Sequence, residues 1–160
     1  MLRAAPTSWW SQDYKLLEGD TVVAIIDVSC WREAGELNVK GASYRVYREG
    51  LMSGAFILEG LLETGGQIRA RAEKPSALHR SFLVEHGGRQ YTLEAESAFL
   101  RKFVLAEGGQ LRGSVYPESA FTRSAVVDFP EELPLAVRVF MFWLVMILWK
   151  RASDAAAAST

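Results

Sequence analysis

The feature that most constrains this chain is residues 133–151, LPLAVRVFMFWLVMILWKR. Pro134 suits a first helical position after the acidic turn PEE, and Lys150 and Arg151 suit the negative end of a helix dipole. Between those ends the helix has no polar face, so it must be surrounded by apolar material on every side. A protein core and a bilayer both meet that demand, and length and charge separate them. The uninterrupted apolar run, 139–149, has 11 residues, which is roughly 16 Å at 1.5 Å per residue. A bilayer core is about 30 Å thick. Extending the span back to Leu133 draws in Arg138, at a cost of about 2.5–3.5 kcal/mol near the middle of a membrane. A tail anchor also places Lys150 and Arg151 on the translocated side, against the positive-inside tendency. The expectation is a buried core helix over 134–150, with a tail-anchored membrane span as the alternative.

The rest of the chain reads as short strands. TVVAIIDV (21–28) is rich in β-branched residues; Asp27 shares a side with Val23 and Ile25, which predicts a partly wet face. ASYRVYR, AFILEG, QIRARAE, RSFLVE, RQYTLEA, KFVLAE, QLRGSVY and RSAVVDF follow, with weaker candidates at 14–17 and 36–39. Gly-Gly pairs at 65–66, 87–88 and 108–109 separate consecutive candidates as hairpin turns do. Part of this region is said twice. Nine of 22 positions match between 65–86 and 108–129, including GGQ[IL]R, Ser76/Ser119, Ala77/Ala120, Arg80/Arg123 and Ser81/Ser124. Upstream, Tyr44, Phe56 and Leu58 correspond to Tyr91, Phe103 and Leu105, with a longer turn, GLLETGG, in the first copy. Each copy is a four-stranded meander of about 40 residues. Two copies are too few for a solenoid or propeller, but with the N-terminal strands they close into one barrel.

Alternation assigns the inward face. In QIRARAE, Ile68, Ala70 and Ala72 share one side and Gln67, Arg69, Arg71 and Glu73 the other; in QLRGSVY the apolar side is Leu111, Gly113 and Val115. These inward residues are mostly small, so something else must occupy the middle, and the apolar helix is the occupant. A helix with side chains is about 10–12 Å across, which needs a barrel wider than eight strands. The predicted fold is mainly β: a closed antiparallel barrel of about twelve strands, built from a duplicated meander around a hydrophobic C-terminal helix. Residues 1–13 read as an N-terminal segment, 14–151 as one domain and 152–160 as a disordered tail.

A barrel of this kind, with SYRVYREGLMSGAFILEG, the repeated GGQ[IL]R and the closing PLAVRVFMFWLVMILWKR, resembles the tubby-like superfamily, which includes tubby C-terminal domains, phospholipid scramblases and LURP-one-related proteins. The bacterial LURP-one-like branch is the most similar. The resemblance covers roughly 14–151 and implies a twelve-stranded barrel around a central helix. It also implies phosphoinositide or other lipid-associated roles, without transferring an activity. No extended basic stretch maps a phosphoinositide pocket residue by residue, and no acidic calcium segment is evident.

Little in the chain points to catalysis. No GxSxG, GxGxxG, P-loop or HExxH string occurs. His79 and His86 have no spaced partner for a metal and read as surface histidines; Cys30, the one cysteine, reads as a small buried or semi-buried thiol beside Trp31. The expectation is no catalytic residue, no metal and no cofactor. A formal net charge of −1 argues against a dedicated nucleic-acid binder. The single cysteine and the lack of a signal-like start fit a cytoplasmic location, peripheral to the membrane if lipid is the ligand. Trp9 and Trp10 read as a plug for one barrel end, or as a partner or membrane-interface contact. The candidate binding residues are Arg45, Arg69, Arg71, Lys102 and Arg112, outward-facing by alternation, which form a surface for anionic lipid headgroups if their strands lie close together. The leading reading is a non-enzymatic binding or scaffold domain for anionic lipid. The alternatives are a protein–protein interaction platform and the tail-anchored membrane protein.

Overall fold

Side chains alternate between core and solvent along twelve strands: β1 (Leu2–Pro6), β2 (Tyr14–Glu18), β3 (Thr21–Ser29), β4 (Ala34–Val39), β5 (Ala42–Glu49), β6 (Ala55–Gly60), β7 (Gln67–Glu73), β8 (Ser81–His86), β9 (Arg89–Ala95), β10 (Phe103–Glu107), β11 (Gln110–Pro117) and β12 (Ala125–Asp128). One helix, α1 (Leu135–Ala158), follows them. The structure, a computed structural model, describes residues 1–29, 33–50, 54–61, 66–76, 78–98 and 101–160. Cys30, Trp31 and the 62–65 part of the long turn lie outside these residues. Each strand pairs antiparallel with its neighbours in sequence, and β1 pairs with β12 to close the barrel. Closure removes every sheet edge. β1 was not expected from sequence: LRAAP is short and weakly β-forming, and it is a strand because β2 and β12 flank it.

The helix occupies the barrel. Eleven of its side chains, from Ala136 to Leu148, are buried. Its N-terminal turn lies beside the short hairpins, where Glu132 pairs with Arg112 at the start of β11. Its far end emerges between the longer loops, where the Trp149 indole N–H donates to the Arg101 carbonyl (3.0 Å) and Arg151 pairs with Glu33. No helix among the described residues is long and apolar enough to cross a membrane, and the segment considered as a tail anchor lies inside the strand wall. The helix limits differ from expectation. Pro134 is the N-cap, its carbonyl accepting from Val137 and Arg138. The C-terminal segment expected to be disordered continues as helix to Ala158. Alanine is the best helix former, and Lys150 pairs with Asp154 one turn on (2.6 Å).

The repeat occurs three times around the barrel. A β-bulge follows Leu16 on β2, Leu58 on β6 and Leu105 on β10, so that Val23, Arg69 and Arg112 are the extra residues on the facing strands. The three leucines are buried. Two positions before each stands an aromatic ring that meets the helix edge-on: Tyr14 against Phe142 (5.5 Å), Phe56 against Trp143 (5.7 Å) and Phe103 against Trp149 (6.5 Å). The first copy was hidden in the sequence because TVVAIIDV shares no GGQ[IL]R string with the others; only the bulge position is common.

The bulges also correct the inward face. An extra residue reverses the alternation beyond it. Ile68 therefore lies opposite Glu59 and Leu111 opposite Ala106, and both side chains face solvent, at 59% and 71% exposure. Ala70, Ala72 and Val115 point inward as expected. Gly113 is small for a different reason from the one inferred. A Cβ there would run into the Asp128 carbonyl oxygen and lie 3.1 Å from the Phe129 Cα, so the neighbouring backbone, not the helix, demands glycine. Gly113→Ala is expected to lower stability by about 1–3 kcal/mol, the range for overpacking. A denaturant melt unchanged by the substitution would show that β12 yields freely.

Candidate functional site

The five candidate basic residues lie on the outer wall, spread over β5, β7, β11 and the approach to β10. Arg45 on β5 binds Glu59 across the strand pair (2.6 Å) and lies over the Tyr47 ring. The Glu59 hydrogen bond, then its charge, raises the Arg45 pKa. Arg71 on β7 reaches Glu49 (2.8 Å) and Glu73 (3.2 Å), and Lys102, just before β10, reaches Glu96 (2.7 Å). Arg112 on β11 sits between Glu107 (3.6 Å) and Glu132. The hydrogen bond from Arg89, ahead of burial and charge effects, holds the Glu107 carboxyl below its ordinary pKa. Arg69, the bulge residue of β7, forms no ion pair among the described residues, and its carbonyl accepts from His86 Nδ1 (2.6 Å). Three strands separate Arg69 and Arg71 from Arg112. The structure pairs four of the five with glutamates and does not gather them into one patch.

A different set of residues converges at the barrel end from which the helix emerges. The loops there are longer than the hairpins at the other end, the β6–β7 turn excepted. The β1–β2 loop carries Trp9 and Trp10, which are 82% and 90% exposed and so do not plug the barrel. The β11–β12 loop carries Phe121, fully exposed at 101%, and the equivalent β7–β8 loop carries Leu78 at 92%. Arg123 ties the first two loops together by donating to the carbonyls of Trp9 (3.2 Å) and Ser11 (2.6 Å). Its guanidinium also lies 5.8 Å from the Tyr14 ring centre, and the Arg101 guanidinium lies 4.9 Å from that of Trp149. Neither arginine forms an ion pair among the described residues. Between the emerging helix and the β1–β2 side of the wall lies a cavity of about 410 Å³.

The sequence reading missed Arg101, Arg123, Leu78 and Phe121 as site residues. A signal was present for three of them: SALHRS and SAFTRS are aligned in the repeat, which puts Leu78 opposite Phe121 and Arg80 opposite Arg123. Among the described residues no cluster of three His, Cys, Asp or Glu side chains could hold a metal ion. Among the described residues the arrangement offers apolar contact and positive charge. No family model matches the chain, and no curated protein or solved structure matches it.

Proposed function

We propose that this chain is a non-enzymatic binding domain that docks its long-loop rim on an anionic membrane surface, in a cytoplasmic and peripheral setting. The carrying observation is that Trp9, Trp10, Leu78 and Phe121, each at least 82% exposed, all stand at one end of a rigid barrel. Large apolar side chains held in water around one rim favour an apolar or interfacial partner. Tryptophan is suited to the headgroup level, where its ring is apolar and its N–H is wet. Arg101 and Arg123 add charge of the sign that anionic lipid attracts, each basic residue near such a surface contributing about 1 kcal/mol. The outward apolar residues Val22, Ile68 and Leu111 do not compete as a docking face, because they occupy equivalent positions on β3, β7 and β11, spread around the wall. A barrel around its own C-terminal helix agrees with the tubby-like resemblance, and membership of that superfamily is part of this proposal.

Flotation of the full chain with phosphatidylserine-containing vesicles tests the reading. Binding is expected, weakening as salt rises, and Trp9→Ala/Trp10→Ala/Phe121→Ala should abolish it with the melting temperature unchanged, since these side chains touch no core. Binding that survives the triple substitution, or no binding by the unaltered chain, would overturn the membrane reading.

A further inference from the structure

The cavity at the long-loop rim has the two-part lining of an amphiphile site. Its inner part is apolar: Trp143, Met146 and Ile147 on the helix face Tyr14 and Val28 on the wall. These helix positions, continued by Lys150 and Asp154, are spaced three or four apart and form one stripe along α1. From Trp143 to Ile147 the apolar part of the stripe runs roughly 6 Å at 1.5 Å per residue, and Lys150 and Asp154 carry the stripe on to the mouth. The outer part is charged. Arg101 and Arg123 stand at the mouth. The Asp154 carboxylate, also at the mouth, is engaged by Lys150 (2.6 Å), so it does not cancel the two arginines. About 410 Å³ falls within the usual range of small-molecule sites, which are mostly apolar with a few convergent polar groups.

We propose that this cavity binds a single alkyl or acyl chain carrying an anionic head, the chain lying against Val28, Met146 and Trp149 and the carboxylate or phosphate meeting Arg101 and Arg123. Charge complementarity selects the class. A cationic head would meet two arginines, and a neutral head would leave them without an anion. Guanidinium groups suit such heads because their planar N–H donors match carboxylate and phosphate oxygens. The inference rests on the membrane reading only for one source of the ligand, an anionic lipid whose chain leaves the bilayer; the other source is a free fatty acid in solution.

Titration calorimetry of the full chain with dodecanoate, kept below its micelle concentration, tests the proposal. One saturable site is expected, with dodecyltrimethylammonium giving no measurable binding. Met146→Trp fills the cavity and should remove the site. Arg101→Gln leaves the Trp149 hydrogen bond to the backbone carbonyl intact and should weaken dodecanoate about tenfold, the effect of losing one charge-assisted contact. Should Met146→Trp fail to melt cooperatively, the exposed Arg101 substitution still decides. No saturable dodecanoate binding, equal binding of the cationic detergent, or affinity unchanged by Arg101→Gln would each overturn the proposal. Vesicle flotation in parallel separates the two claims. A chain that floats but does not take up dodecanoate refutes the cavity assignment and leaves rim docking standing; uptake without flotation does the reverse and points to free fatty acid as the source.

Discussion

A chain ending at Glu132 is expected to be unfolded. All twelve strands remain in such a chain, yet the barrel they form has no interior without the helix. Eleven buried helix side chains are lost, and full burial of an aliphatic or aromatic side chain is worth about 1.5–3 kcal/mol. Their combined contribution exceeds the whole stability of a typical domain, about 5–15 kcal/mol. The inward rings of Tyr14, Phe56 and Phe103 would face an empty or water-filled space, and the small inward residues Ala70 and Ala72 cannot swell to fill it. Circular dichroism and proton NMR of the truncated chain check this. A cooperative thermal melt with dispersed resonances would show that the strands close on themselves, and the central-helix account of stability would fall.

Trp143→Ala is the largest single-site effect we expect, about 3–5 kcal/mol, the range for removing a buried tryptophan. Trp143 is 1% exposed and sits at the centre of an aromatic chain. It stacks on Phe140 (5.9 Å) and meets Phe56 edge-on (5.7 Å), and Phe56 in turn meets Phe82 (5.3 Å). The substitution therefore opens a void and removes ring contacts that join helix to wall. Trp149→Ala should cost less, because that ring is only half-buried at the barrel mouth, although its hydrogen bond to the Arg101 carbonyl is lost as well. Urea denaturation of the two variants and the unaltered chain checks the ranking. Equal midpoints for Trp143→Ala and the unaltered chain would mean that the barrel does not grip this part of the helix.

Most of the architecture could be read before any coordinates because it rests on local pattern. Eleven strands were visible from β-branched runs and glycine turns, and the apolar helix from its lack of a polar face. The bulges were not legible. Inserting one residue into a ladder depends on how two strands meet, and neither strand carries the instruction alone; hence Ile68 and Leu111, inward by alternation, face solvent. The basic residues show the same limit. Arg45, Arg71, Lys102 and Arg112 were identified as outward, but alternation does not say what lies across the next strand, and what lies there or in the adjoining loops is a glutamate in each case.

The sequence by itself determined that an apolar helix must be enclosed and that a wide antiparallel barrel would enclose it, since both follow from hydrophobic burial and from the period of the side chains. Only the tertiary structure decided that the repeat occurs three times, that Gly113 answers to the Asp128 backbone, and that Trp9, Trp10, Leu78 and Phe121 share one rim with Arg101 and Arg123. Those residues are more than 100 positions apart at the extremes of the chain. Trp9 and Trp10 come beside Phe121 and Arg123 because β1 closes on β12, a pairing of the first strand with the last that no local window of sequence contains.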